Sequence, residues 1–518
     1  YVKEDAGFCM GQGVAVDTCG KALAAVAVGE NASFDCFGWA GNSSATETGT
    51  GILGLSDSSR IGIYEGAVIT GNGSGIVNQG ITKLAGGTIR TNGTQTKKNR
   101  SDKSVLPGDR ITGNDGHGIR QTGGTLRMSG GMILGNGRLG SNGEPGSYGG
   151  GVLLTGSASM YMSGGIIAAN RAAAGGGIYV SAGCTLTVTG GRIGGKDKYY
   201  ERAENNTEAN GNYARESRIP ADQNKYRAGE GGGIYSLGTV VLNGKEQIQI
   251  GYNCAKGAGG GGGIHAAGGS LHISGKVSVS SNRALSSEAS SSSLLYGGGD
   301  ANGEGGGIRI GQEHGTSAKC YINYNTSGSE SSGRGNVVIE KNSASGDGGG
   351  IFESSGSANE LFVGENVCIQ KNQSGIGGGG GVKSLGGYLS LKGAVIAENQ
   401  AKDGNHGGGV LTAGKTEISD CRIFGNSASR AGGGICFYDS SVGTSGRGII
   451  SGTKVYENTA ATNGAGIMIG SSKGTVTAEE TEVYENQGTE GGIRCQKGSV
   501  FQMKEGAVWG NSRYGISN

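Results

Sequence analysis

Residues 393–435 read GAVIAENQAKDGNHGGGVLTAGKTEISDCRIFGNSASRAGGGI, and two short phrases occur twice within them. One is an aliphatic residue, two variable positions and Asn: Ile396 to Asn399, then Ile423 to Asn426. The other is a glycine run before an aliphatic residue, ending at Val410 and again at Ile435. Working outward, the Asn phrase ends at Asn72, Asn92, Asn114, Asn136, Asn170, Asn253, Asn282, Asn342, Asn372, Asn399, Asn426, Asn458, Asn486 and Asn511. The last seven of these are spaced by 30, 27, 27, 32, 28 and 25 residues. The glycine phrase ends at Ile76, Ile119, Val152, Ile178, Ile234, Ile264, Ile308, Ile351, Val382, Val410, Ile435, Ile467, Ile493 and Ile516. Between the two lies an alternating segment that ends in Gly, as at Leu126/Met128, Met160/Met162, Leu186/Val188, Leu271/Ile273, Leu361/Val363 and Leu389/Leu391.

A fixed period of this length is the mark of a repeat architecture. Each unit offers three short strands and glycine turns, with no helical periodicity. Strands this short bury a face only when stacked in register, each coil pairing its backbone with the next. The chain is therefore expected to be all-β, a single parallel β-helix (β-solenoid) of about 16 coils rising about 4.8 Å each. Right-handed winding is expected from the strong bias of parallel crossovers. The named aliphatic residues should face inward, with an Asn file along one corner. Asn suits that corner because it tolerates the left-handed region and its amide can stack as a ladder.

Composition agrees and removes other classes. Of 518 residues 114 are Gly but only 3 are Pro, which excludes collagen and proline-rich stalks. All three prolines, Pro107, Pro145 and Pro220, lie outside the repeated strands, where they delete no ladder bond. The 44 basic and 42 acidic residues nearly cancel, so no bulk field favours nucleic acid. No apolar run is long enough to span a bilayer as a helix. Ten cysteines are scattered without a CxxC pair, which argues against zinc and redox motifs. Because Cys368, Cys421 and Cys436 hold different offsets from the neighbouring aliphatic residues, packing rather than a ladder of disulfides is expected of them.

The paired phrases resemble the GGA[ILV] and FxxN repeats of polymorphic membrane proteins and related autotransporter-adhesin passengers, with Ile or Val here in place of Phe. The resemblance covers about residues 58–518. It implies a secreted or bacterial cell-surface right-handed β-helix used for adhesion or surface architecture.

Residues 1–57 lack the phrases and read as a cap or lead-in region ahead of the solenoid. Insertions are expected at about 93–110, 196–230, 283–304 and 311–334. The longest, 196–230, carries Tyr199, Tyr200, Arg202, Tyr213, Arg215, Arg218, Tyr226 and Arg227. Tyr and Arg are the residues that dominate recognition surfaces, so these are candidate binding residues. In 311–334 the phrase Ile322-x-x-Asn325 could be one more degenerate coil.

Catalytic candidates are fewer. Acidic residues do not recur at one repeat position across coils, and Asp347, Asp403 and Asp420 read as turn formers. No catalytic residue is assigned. Asp300, Asn302 and Glu304 match the first half of a calcium loop, but position twelve is Gly311, and a plain loop is preferred. No cofactor is expected otherwise. Alternation turns His265 and His272 outward, towards solvent. Function is expected to be that of a non-enzymatic structural or adhesin protein, binding surface glycans or proteins or copies of itself. The alternative is a polysaccharide-processing lyase or glycoside hydrolase. A stack that closes at Val508 to Ile516 would expose unpaired backbone, so occupancy of that end by further chain or a neighbouring subunit is expected.

Overall fold

The computed structural model describes residues 1–18, 23–41, 49–90, 116–137, 148–198, 210–215, 217–219, 222–227, 229–257, 259–286, 303–311, 316–324, 335–356, 358–438, 447–470 and 474–517. Among them there is no helix, and the chain is an all-β parallel β-helix. It divides into two compact units, Tyr1–Lys256 with Ser293–Leu295, and Gly257–Ser292 with Tyr296–Asn518.

In the first unit the strands that follow the glycine phrase form one parallel face: Ala24–Val28, Thr50–Gly54, Ser74–Asn78, Ile119–Gln121, Val152–Leu154, Ile178–Val180 and Ile234–Ser236. The second unit repeats the face from Ile264–Ala266 through Ile308–Ile310, Ile351–Glu353, Val382–Ser384, Val410–Thr412, Ile435–Phe437, Ile467–Ile469 and Ile493–Cys495 to Ile516–Ser517. The alternating segments and the strands carrying the Asn phrase make further parallel ladders, such as Thr125–Met128 on Ser159–Met162 and Met132–Leu134 on Ile166–Ala168. A short strand after the Asn, seen at Gln373–Ser374, Gln400–Ala401 and Ser427–Ala428, pairs in turn.

The repeated aliphatic residues point inward. Leu126, Met160, Leu186, Leu271, Leu361, Leu389, Ile396 and Ile423 are all fully buried. The Asn file is a continuous hydrogen-bond ladder within each unit. Asn136, Asn170, Asn212 and Asn253 form it in the first unit, each side-chain amide donating to the next Asn Oδ1 at 3.0–3.1 Å. Asn282 through Asn511 form it in the second at 2.9–3.0 Å. Asn72 is buried too; Asn92 and Asn114 lie outside the described residues. The left-handed conformation sits on the residue before the Asn, not on the Asn, with Gly211 before Asn212 the exception: Ala169, Lys371, Glu398 and Glu457 have φ of 55°, 55°, 55° and 53°.

Several expectations need correction. Residues 1–57 already contain coils: Gly7–Met10 pairs with Ser33–Cys36, which pairs with Arg60–Ile63. Phe34 and Cys36 fill the core as the later aliphatics do. Residues 318–322, expected to lie in an insertion, form a regular ladder strand with Cys320 and Ile322 buried. Ile322 therefore sits on the alternating strand, and Ile322-x-x-Asn325 is not an Asn-file phrase. Within 196–230, Tyr213–Arg215 pairs with both Arg171–Ala172 and Cys254–Lys256. Arg283–Leu285, at the head of the expected 283–304 insertion, pairs with Ser343–Ala344. The 93–110 segment lies outside the described residues. No disulfide forms among the described residues, and burial pushes the Cys421 and Cys436 thiols up to about 12.

His265 does not face solvent; it is fully buried. Alternation does turn it away from the central core, but that outer side of the face is itself covered. Leu411, Cys436 and Met468 occupy the same offset and pack with Ala431 and Leu385 in a second small apolar cluster. His265 Nε2 lies 3.2 Å from the Gly311 carbonyl, and burial, with Arg309 nearby, drives its pKa well below 6.5. His272 is half-buried, stacked on Tyr321 at 4.9 Å.

Glu353 points inward, with Ser384 Oγ donating to its Oε2 at 2.5 Å and Oε1 left without a partner. Burial pushes its carboxyl up to about 8. An unfolded Glu titrates at about 4.3, so between these values the folded state holds the extra proton. Stability from this group is greatest below about pH 4 and falls as pH rises towards 8, by at most about 1.4 kcal/mol per unit. Glu353→Gln is expected to remove that component. Urea midpoints of both proteins between about pH 5 and 8 measure it; parallel slopes would contradict the assignment.

Candidate functional site

The candidate binding residues of the 196–230 segment fall in different places. Tyr199, Tyr200 and Arg202 lie outside the described residues. Tyr213 is half-buried and Arg215 exposed, both on a coil strand. Arg218, Tyr226 and Arg227 lie on an antiparallel hairpin of Ser217–Ile219 and Asp222–Arg227, in which Arg218 is opposite Tyr226 and Ser217 opposite Arg227. Of the calcium-loop residues, Asp300 and Asn302 lie outside the described residues. Glu304 is buried and bound by Arg309 at 3.1 Å, so its carboxylate neutralises a neighbouring cation within the fold. Among the described residues no three His, Cys, Asp or Glu side chains are placed to hold a metal.

What the structure does bring together lies on the outer side of the alternating strands of the first unit. Lys83 aligns with Arg127, Arg127 with Tyr161 and Tyr161 with Thr187, one residue per coil. Each stands between two inward core residues, Arg127 for example between Leu126 and Met128. The pleat therefore forces it outward. Lys83 Nζ lies 5.3 Å from the centre of the Tyr64 ring, and the Arg127 guanidinium 5.4 Å from that of Tyr161. Both distances allow a cation–π contact. Burial, with the nearby Asp35 carboxylate, raises the pKa of the Tyr64 hydroxyl.

A half-open groove of about 360 Å³ runs along this file. Lys83, Arg127, Tyr161 and Thr187 line it, together with the turn hydroxyls of Ser129, Ser163 and Thr189. Those hydroxyls recur because three successive alternating strands are followed by Ser129, Ser163 or Thr189 before Gly-Gly. The signal was present in the sequence, in the residue enclosed by each inward pair.

No family model, curated protein or solved structure matches the chain.

The second unit uses its outer faces differently. Phe424, Tyr456, Tyr484 and Trp509 stack ring on ring with centroids 4.5–5.0 Å apart and planes within 9°. Three exposed lysines there are paired with acids, Lys319–Glu360 at 2.9 Å, Lys415–Glu417 at 3.1 Å and Lys454–Glu482 at 3.1 Å. Such exposed pairs add little stability but leave each charge partnered.

Proposed function

We propose that this chain is a non-enzymatic binding scaffold, an adhesin or structural protein of a secreted or cell-surface kind. The observation that carries the reading is the in-register outer file of Lys83, Arg127, Tyr161 and Thr187 along a groove. Rigid parallel coils hold these side chains at a repeat of about 4.8 Å, so little order is lost when a ligand engages them. Several carboxylates support the same reading, because they serve as partners to cations: Glu304 to Arg309, Asp347 to Lys383 and Glu360 to Lys319. The extracellular setting is supported by the resemblance of the paired phrases to adhesin repeats.

The test is incubation of the protein with acidic and neutral polysaccharides in the presence of Ca²⁺. Binding without new chain ends or unsaturated products is expected. Turnover that disappears on replacing a carboxylate would overturn the reading in favour of a polysaccharide-processing enzyme.

A further inference from the structure

We infer that the groove of Lys83, Arg127 and Tyr161 takes a linear acidic glycan, one whose sugars carry carboxylate or sulfate groups. The inference rests on the binding reading above and names the ligand class of that site.

Charge is the first argument. Lys83 and Arg127 are exposed, adjacent in the file, and form no ion pair among the described residues, whereas Lys319, Lys415 and Lys454 in the second unit are each paired with an acid. The Asp35 carboxylate stands two coil steps from Lys83, in register through Gly62, and forms no ion pair with it. Two neighbouring unneutralised cations favour an anion, and a guanidinium offers two parallel donors to a carboxylate or sulfate.

The shape and surface of the groove narrow the class. Its walls are largely carbon, including the Tyr161 ring, which is 46 % exposed. A sugar ring presents C–H faces that pack on such walls and hydroxyls that pair with Ser129, Ser163, Thr187 and Thr189. The strand amides and carbonyls beneath are consumed in coil-to-coil ladders, for example Arg127 with Tyr161 and Tyr161 with Thr187. An extended peptide therefore finds no free edge to join, and recognition falls to side chains. From Lys83 to Thr187 the file climbs three coil steps, about 14 Å at about 4.8 Å each, which suits a few sugar units of a linear chain.

Calorimetric titration of the full chain with polygalacturonate, dextran sulfate and neutral dextran tests this. At least one acidic polymer is expected to bind ten-fold or more tightly than dextran, with affinity falling as salt rises. Which of the two wins separates a carboxylate from a sulfate ligand. Arg127→Ala and Tyr161→Ala are each expected to weaken binding about ten-fold, as truncation of a central anchor does. Lys276→Ala, which removes an exposed charge elsewhere, should leave affinity unchanged. All three positions are exposed, so unchanged melting temperatures show that the variants fold.

Equal binding of dextran, or equal losses in Arg127→Ala and Lys276→Ala, would overturn the acidic-glycan inference and leave the binding reading standing. Binding of poly-glutamate with none of the glycans would overturn it too and give the groove to an acidic protein partner. Depolymerisation of the bound glycan would instead overturn the binding reading itself.

Discussion

Asn399→Ala is expected to destabilise the second unit by about 3–5 kcal/mol, near the upper end of single-substitution effects. The Asn399 side chain donates to the Ile369 carbonyl at 2.9 Å and to Asn426 Oδ1 at 3.0 Å. Its Oδ1 accepts from the backbone N–H and the side-chain amide of Asn372, each at 3.0 Å. Ala removes the side-chain donor to the Ile369 carbonyl and the acceptor of the Asn372 N–H and of one Asn372 amide hydrogen, the other still donating to the Ile339 carbonyl, in a fully buried site. A buried polar group left unpaired costs about 1–3 kcal/mol. The neighbouring Glu398→Gly is the contrast. Glu398 holds φ of 55°, which costs a residue with Cβ about 1 kcal/mol, offset by the greater unfolded-state freedom of Gly. That change is expected to stay within about 1 kcal/mol of zero. Urea midpoints compare the two, and hydrogen exchange at the Asn372 amide should accelerate only in Asn399→Ala. Equal shifts in both variants would show that the ladder does not carry coil stability.

Much of this ladder is legible in the sequence, because it is local chemistry repeated. An aliphatic residue three positions before Asn states both the inward strand and the corner. The phrase loses its signature where one of its members changes. Asn212 stands in the ladder between Asn170 and Asn253, yet Ala209 occupies the aliphatic place, so the phrase is not legible there. Residues 1–57 hid their coils in the same way, with Phe34 and Cys36 on an alternating strand but no Asn phrase to announce it. His265 failed for a different reason. Alternation fixes which side of a strand a residue takes, but what covers that side is set by a distant segment, and here it is covered completely. The groove fell between these cases. Lys83, Arg127, Tyr161 and Thr187 are individually ordinary outward residues, and only overlaying the coils puts two cations, a ring and a hydroxyl in one line.

Gly381→Ala is expected to cost about 2–4 kcal/mol, although Gly381 has an ordinary backbone conformation and Ala is the smallest possible addition. A Cβ at Gly381 would lie 2.6 Å from the Gly409 carbonyl oxygen and 2.9 Å from Asn399 Nδ2. The first neighbour is backbone of the next coil, and the second is held by the ladder, so neither can move cheaply. The same approach recurs at Gly350, Gly409 and Gly434, at 2.5, 2.7 and 2.6 Å from the following coil. The glycine before each aliphatic residue is therefore fixed by the distance between coils. To admit a methyl group, the coils must separate and strain the hydrogen bond from Val382 N–H to the Gly409 carbonyl, now 2.9 Å. The requirement differs two residues earlier, where Gly379 has φ of +66° and needs glycine for its backbone conformation. Gly11 supplies the control, since nothing lies within 4 Å of a Cβ built there and its φ is not in the left-handed range. Gly11→Ala is expected to be neutral or stabilising by about 0.4–1 kcal/mol, through reduced freedom of the unfolded chain. Chemical denaturation of the two variants gives the comparison, and a Gly381→Ala midpoint matching that of Gly11→Ala would mean the coils yield to a methyl group. Because each coil touches only its neighbours, the damage should also be local. Exchange of the Val382 amide should rise sharply in Gly381→Ala, while that of Ile467, further along the same face, should change far less.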